Sequence, residues 1–175
     1  PNPTDPHVIN AFENGAFSEF ERHSRVGMVT EEGFAQRVEE LRKAGAKYIF
    51  LKTGAYGPAD LARAIKFASK YKLDLLTVDG AGGGTGMSPW RMMNEWGVPP
   101  VELHTLTYRY AKQLADKGQH VPAIAYAGGF TFEDQMFKGL ALGAPYVKLI
   151  GMARSPIAAA MVGKTIGNAI KNHQI

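Results

Sequence analysis

From Thr30 onward, apolar positions alternate between helical and extended spacing. Phe34, Val38 and Leu41 recur at helical intervals behind Thr30, which stands as an N-cap with Glu31 and Glu32 in the first turn and Gly45 as the stop. Lys47–Thr53 is a short β-rich run. Pro58 opens a helix whose Leu61, Ile65 and Ala68 share a face, and Leu73–Val78 reads as the second strand. A glycine-rich loop covers Gly80–Gly86, and a partly apolar connection through Trp90, Met92, Met93 and Trp96 leads to Pro99-Pro100. The helix that follows carries Leu103, Leu106, Tyr110 and Leu114. Ala123–Ala127 is a third strand. A helix from about Thr131 is expected to bury Phe132, Met136, Leu140 and Leu142, and Tyr146–Ile150 is the fourth strand. Ser155-Pro156 caps a last helix with proline in its first position. Ahead of all this, Pro1–Ser24 opens with three prolines in six residues and carries a short amphipathic helix anchored by Val8, Ile9, Phe12, Phe17 and Phe20, interrupted at Gly15.

This order divides the chain into an N-terminal arm or insertion, residues 1–29, and an α/β body, residues 30–175. Strand–helix alternation, four times over, predicts a parallel sheet with right-handed crossovers. Four such units make either a small open sheet or half of a (β/α)8 TIM barrel. A whole barrel needs roughly 200 residues or more, so a chain of 175 residues closes one only by pairing with more chain. No internal repeat or low-complexity tract is evident. The start, PNPTDPH, has no initiator Met and no signal peptide, which reads as a processed chain or a fragment.

The apolar fraction of 45% and charged fraction of 21% are ordinary for a soluble globular chain, and no apolar run has the length of a membrane span. There are no cysteines, which removes disulfides, thiolate metal sites and Cys nucleophiles, and makes a cytoplasmic location the default. The net charge of +4 suits an anionic ligand, but the basic residues are dispersed among acids, so nucleic-acid binding is not indicated.

The chemistry gathers at strand ends. The third strand runs into Gly128-Gly129, and the fourth into Gly151-Met152-Ala153-Arg154 immediately before a helix. In barrels the loops after the last two strands commonly form a phosphate site. Glycines admit oxygen close to backbone N–H groups, a helix start offers unpaired donors, and Arg154 adds charge-assisted bonds. Gly128-Gly129 alone reads as a tight turn; the two loops in tandem favour phosphate. Asp79-Gly-Ala-Gly-Gly-Gly-Thr-Gly86 has the glycine density of an anion cradle without the ending of a P-loop or the spacing of a dinucleotide fingerprint, and reads as ligand contact or as a flexible loop. Lys52, near the end of the first strand, points to a reaction centre or to solvent; a positive charge there would stabilise an anion such as a substrate carboxylate. Glu102 and His104 lie two apart on a helix start and do not share a face. His7, His23, His120 and His173 show no metal-ligand spacing, so no metal site is expected.

Gly83-Gly-Thr-Gly-Met-Ser-Pro89 resembles the Gly-Gly-Thr-Gly-Ala-Ser-Pro motif of the glutamate synthase flavin domain, departing at Met87. Leu51-Lys52 is similar to that family's Val-Lys strand, Glu102-Leu-His104 to its Glu-Thr-His-Gln segment, and Ala127-Gly128-Gly129 with Gly151–Arg154 to its phosphate loops. The resemblance covers roughly Thr30 to Ile170. It implies the C-terminal part, about four βα units, of an FMN-binding (β/α)8 barrel that reduces 2-iminoglutarate, formed from 2-oxoglutarate and ammonia, to L-glutamate. On it, Lys52, Glu102 and His104 are the catalytic candidates. FMN would be held by Lys52, Asp79, Gly83, Gly84, Thr85, Gly86, Gly128, Gly129, Gly151, Met152, Ala153 and Arg154. It further implies a missing N-terminal half-barrel or a homo-oligomer, with electron-donor and amidotransferase subunits as partners. The family's iron–sulfur cysteines normally follow the last phosphate loop, where this chain reads Ser155-Pro-Ile-Ala-Ala-Ala-Met161. The alternatives are a non-flavin phosphate-binding barrel, such as a lyase or isomerase, and a non-catalytic assembly protein retaining the fold.

Overall fold

The structure is a computed structural model, and it describes residues 5–16, 30–83 and 95–174. The elements run α1 (Pro6–Glu13), α2 (Glu31–Lys43), β1 (Phe50–Thr53), α3 (Pro58–Lys70), β2 (Leu75–Asp79), α4 (Pro100–Asp116), β3 (Ala123–Ala127), α5 (Glu133–Gly143), β4 (Val147–Gly151) and α6 (Arg154–Lys171). The four strands form one parallel sheet in the order β1-β2-β3-β4. The alternating pattern therefore gives the α/β architecture it predicts, and one compatible with part of a barrel.

Local signals set the boundaries. Thr30 Oγ1 accepts from Gly33 N at 3.1 Å and starts α2. Pro58 and Pro100 each lie in the first turn of their helices, where a missing N–H costs nothing. β1 is shorter than its β-rich sequence, because Ile49 N donates to the Asp74 carboxylate at 2.8 Å rather than to a neighbouring strand. Pro156 falls at the third position of α6, since Arg154 already opens that helix.

Successive strand residues point to opposite faces, and here the two faces differ. On one, Leu76, Val78, Ile124 and Tyr126 are fully buried beneath the helices, Leu76 and Val78 packed with Leu61, Ile65 and Ala68 of α3 and Leu103 of α4, and Ile124 and Tyr126 with Ala111 of α4. On the other, Phe50 is 62% exposed and Leu149 52% exposed. Lys52 and Asp79 share this open face, because Lys52 pairs with Thr77, and Asp79 with Ala127, in register.

Two expectations about packing are corrected. In α5, Phe132, Leu140 and Leu142 are exposed, and the buried positions are Gly139 and Gly143. The reason is steric. A Cβ at Gly143 would lie 2.0 Å from Val147 Cγ2, and one at Gly139 2.8 Å from the Phe130 ring, so α5 approaches the sheet through its glycines. In α1, Ile9 and Phe12 are exposed and none of the helix is buried; Phe17 and Phe20 lie outside the described residues.

Candidate functional site

All four strands end along the same edge, so the loops after Thr53, Asp79, Ala127 and Gly151 gather there. In parallel α/β sheets this carboxyl edge is where ligands bind.

The loops after β2 and β3 touch backbone to backbone. Gly80 N donates to Ala127 O at 2.9 Å. Gly128 has φ +128°, and a Cβ on it would meet Gly80 N at 2.6 Å. Gly80 is equally confined on its other side, where a Cβ would meet the Pro100 ring at 2.7 Å. Gly129, at φ +92°, lies against Gly82. These glycines are therefore required by close approach as well as by conformation.

The loop after β4 joins the same cluster. Ala127 and Gly151 are register partners, which sets Gly128-Gly129 beside Met152-Ala153. The Arg154 guanidinium donates to Gly82 O at 2.8 Å, linking the fourth loop to the second. Ser155 Oγ donates to Phe130 O at 3.0 Å and lies 3.1 Å from Thr131 Oγ1, linking the fourth loop to the third. Sequence reasoning missed Ser155 as a tie; its signal was its place in the first helical turn, next to Pro156. Helix α6 has no side-chain cap. Glycine turns, a helix N-terminus and a guanidinium thus converge on adjacent loops, an arrangement whose chemistry fits a phosphate dianion.

Beside this cluster stands an ion pair. Lys52 Nζ lies 2.8 Å from Asp79 Oδ2, with Lys52 62% exposed and Asp79 only 14% exposed. Asp79 Oδ1 is buried and has no hydrogen-bond partner among the described residues. The lysine is thus held upright on the open face by a half-satisfied carboxylate at the neighbouring strand end. An orphaned buried oxygen of this kind suits a ligand donor.

The other catalytic candidates separate. Glu102 is exposed in the first turn of α4. His104 is 2% exposed, on the helix-covered side of the sheet, with its ring stacked on Tyr126 at 3.9 Å and 4° and on Phe130 at 5.8 Å. Its Nε2 is 3.1 Å from Ala127 O, while Tyr126 OH donates to its backbone carbonyl at 2.7 Å. Burial depresses the imidazole to about 4, against the opposing effect of its backbone hydrogen bonds. A neutral His104 therefore donates from Nε2 to the carbonyl just before Gly128 and fixes that loop from behind. Burial likewise raises the Tyr126 hydroxyl. Between α4 and α5, a cleft of about 460 Å³ lined by Pro100, His104, Gly128, Gly129 and Phe130 abuts the same loop.

Gly83 closes the short 3-10 turn after β2. Gly84, Thr85 and Gly86 lie outside the described residues. No group of three or more metal-ligating side chains occurs among the described residues. No described helix is long and apolar enough to cross a membrane.

The start of the loop after β2, the Lys52 strand and the paired loops are thus set along one edge, and the wider sequence decides what they belong to. The family model described as the conserved region in glutamate synthase matches residues 21–161. The chain belongs to the glutamate synthase family. It is 29% identical over 114 residues to the glutamate synthase large subunit-like protein YerD of Bacillus subtilis (strain 168). That match takes in 64% of this chain and 21% of the relative, so the glutamate synthase-related chain spans about a fifth of that protein's length.

Proposed function

We propose that the chain supplies about four βα units of an FMN-binding (β/α)8 barrel of the glutamate synthase type. Its function is the reduction of 2-iminoglutarate, or a related imino or keto acid, to the amino acid. The observation that carries this reading is the meeting of the β3 and β4 loops, with the glycine turn at Gly128-Gly129, an uncapped helix and Arg154 on one spot. Gly128, Gly129 and Gly151–Arg154 hold the phosphate of FMN, and Asp79 and Gly83–Gly86 line the ring and substrate pocket. When bound, FMN supplies the hydride chemistry.

The chain's own residues do the rest. Lys52, braced by Asp79, presents a positive charge on the open face, where it neutralises a substrate carboxylate or a reduced, anionic ring. His104 is a positioning residue: it fixes Ala127 O and so the orientation of Gly128. Glu102 stands on the first turn of α4, at the rim. The uncovered sheet face with Phe50 and Leu149 fits the interior of a barrel completed by further strands, from more of the chain or from a second copy.

The test is the absorption spectrum and released-cofactor mass of the full-length protein. The reading expects the flavin bands and the mass of FMN. Colourless protein that turns over a phosphorylated sugar instead would replace it with a lyase or isomerase.

A further inference from the structure

At the opposite end of the strands, roughly 15 Å from the carboxyl edge by strand length, a cleft of about 570 Å³ opens between α3 and α4. Its floor is apolar: Ile65 is 1% exposed, and Ala62, Leu114 and Tyr110 complete it. Its rim carries Lys66, Lys70, Lys72, Lys117 and His120, and no Asp or Glu among the described residues lines it. Elsewhere Lys43, Lys52, Lys112 and Lys138 each lie against a carboxylate. Among the described residues, Lys70 is paired, to Glu31 of α2. Lys66, Lys72 and Lys117 form no ion pair among the described residues.

The rim is also built rather than frayed. Lys72 holds φ +51° in the turn that ends α3, and Lys117 caps the C-terminus of α4. His120 Nε2 lies 2.9 Å from Leu73 O, which fixes Nε2–H as the donor and ties the α4–β3 connection to the start of β2. The cleft's volume lies in the ordinary range for small-molecule sites, about 300–1,000 Å³. An apolar, Tyr-bearing floor under a rim of lysines matches a ligand with a planar, weakly polar body and several negative charges.

We infer that this cleft binds a nucleoside polyphosphate, with its phosphates on Lys66, Lys72 and Lys117 and its base over Ala62, Leu114 and Tyr110. The site is separate from the FMN loops and stands or falls independently of them. The experiment is isothermal titration of the full-length protein with ATP and, separately, with inorganic pyrophosphate. It uses the wild type, the double variant Lys66→Gln/Lys117→Gln, and the charge-matched control Lys164→Gln/Lys171→Gln on α6. The expected result is ATP binding that weakens at least about tenfold in the cleft variant, stays unchanged in the control, and exceeds pyrophosphate binding. FMN content is the same in all three proteins. The inference is overturned if ATP does not bind, if both variants lose affinity equally, or if pyrophosphate binds as tightly as ATP. Loss of FMN in every protein would instead strike at the flavin reading alone.

Discussion

Gly128→Ala isolates what the close approach of the β2 and β3 loops requires. At φ +128° an alanine sits in strained backbone, at a cost of about 1–3 kcal/mol. Its Cβ would also stand 2.6 Å from Gly80 N and 2.9 Å from Gly80 Cα. Gly80 cannot yield easily, because its N–H is bonded to Ala127 O at 2.9 Å and Pro100 fills its far side. Overpacking of this kind adds a further ~1–3 kcal/mol, so the total falls at roughly 2–6 kcal/mol, a large share of a stability of about 5–15 kcal/mol. Gly118→Ala is the matched control: φ is +67° and nothing lies within 4 Å of its would-be Cβ. It bears only the backbone term, about 1 kcal/mol. Urea denaturation of both variants measures the difference. Equal shifts in midpoint, or a Gly128→Ala loss below about 1 kcal/mol, would refute the argument that the loops meet backbone to backbone.

Three further predictions concern the site. His104 is buried and neutral, with its folded value near 4 against an ordinary 6.5. The unfolded chain therefore binds the extra proton, and stability present above pH 6.5 is lost as pH falls toward 4, by on the order of 3 kcal/mol. Urea midpoints across that range should flatten in His104→Asn, and parallel profiles would contradict this. Lys52→Met should lower turnover of the imino acid by about 100-fold or more while costing roughly 1–3 kcal/mol of stability, because the largely buried Asp79 carboxylate loses its partner; steady-state kinetics with a urea titration checks both, and unchanged kcat would remove Lys52 from the reaction. Arg154→Gln should weaken FMN binding by about 10–100-fold through loss of a charge-assisted bond, read by flavin fluorescence, and full retention of affinity would place the phosphate elsewhere.

Much of this was legible in the residues, for local reasons. Thr30, Pro58 and Pro100 mark helix starts because capping and proline chemistry act within one turn. The Lys52–Asp79 pair follows from position, since both close parallel strands, yet which of Lys52's two directions it takes depends on which face the helices cover. The rest depended on contacts far apart in sequence. β1 loses its first residues to the Asp74 carboxylate, 25 positions from Ile49. α5 turns its large apolar residues outward because Gly139 and Gly143 must meet Phe130 and Val147. His104 looks like a candidate base in a motif, but the ring of Tyr126 on a neighbouring strand makes it a buried support.

The central claim is that the turns after β3 and β4 grip a phosphate. Comparing the affinities of FMN and riboflavin for the full-length apoprotein, wild type and Arg154→Gln, addresses it most directly. The account predicts riboflavin at least about 100-fold weaker than FMN, with the gap narrowing in the variant. Equal affinity for the two flavins in the wild-type protein would contradict it.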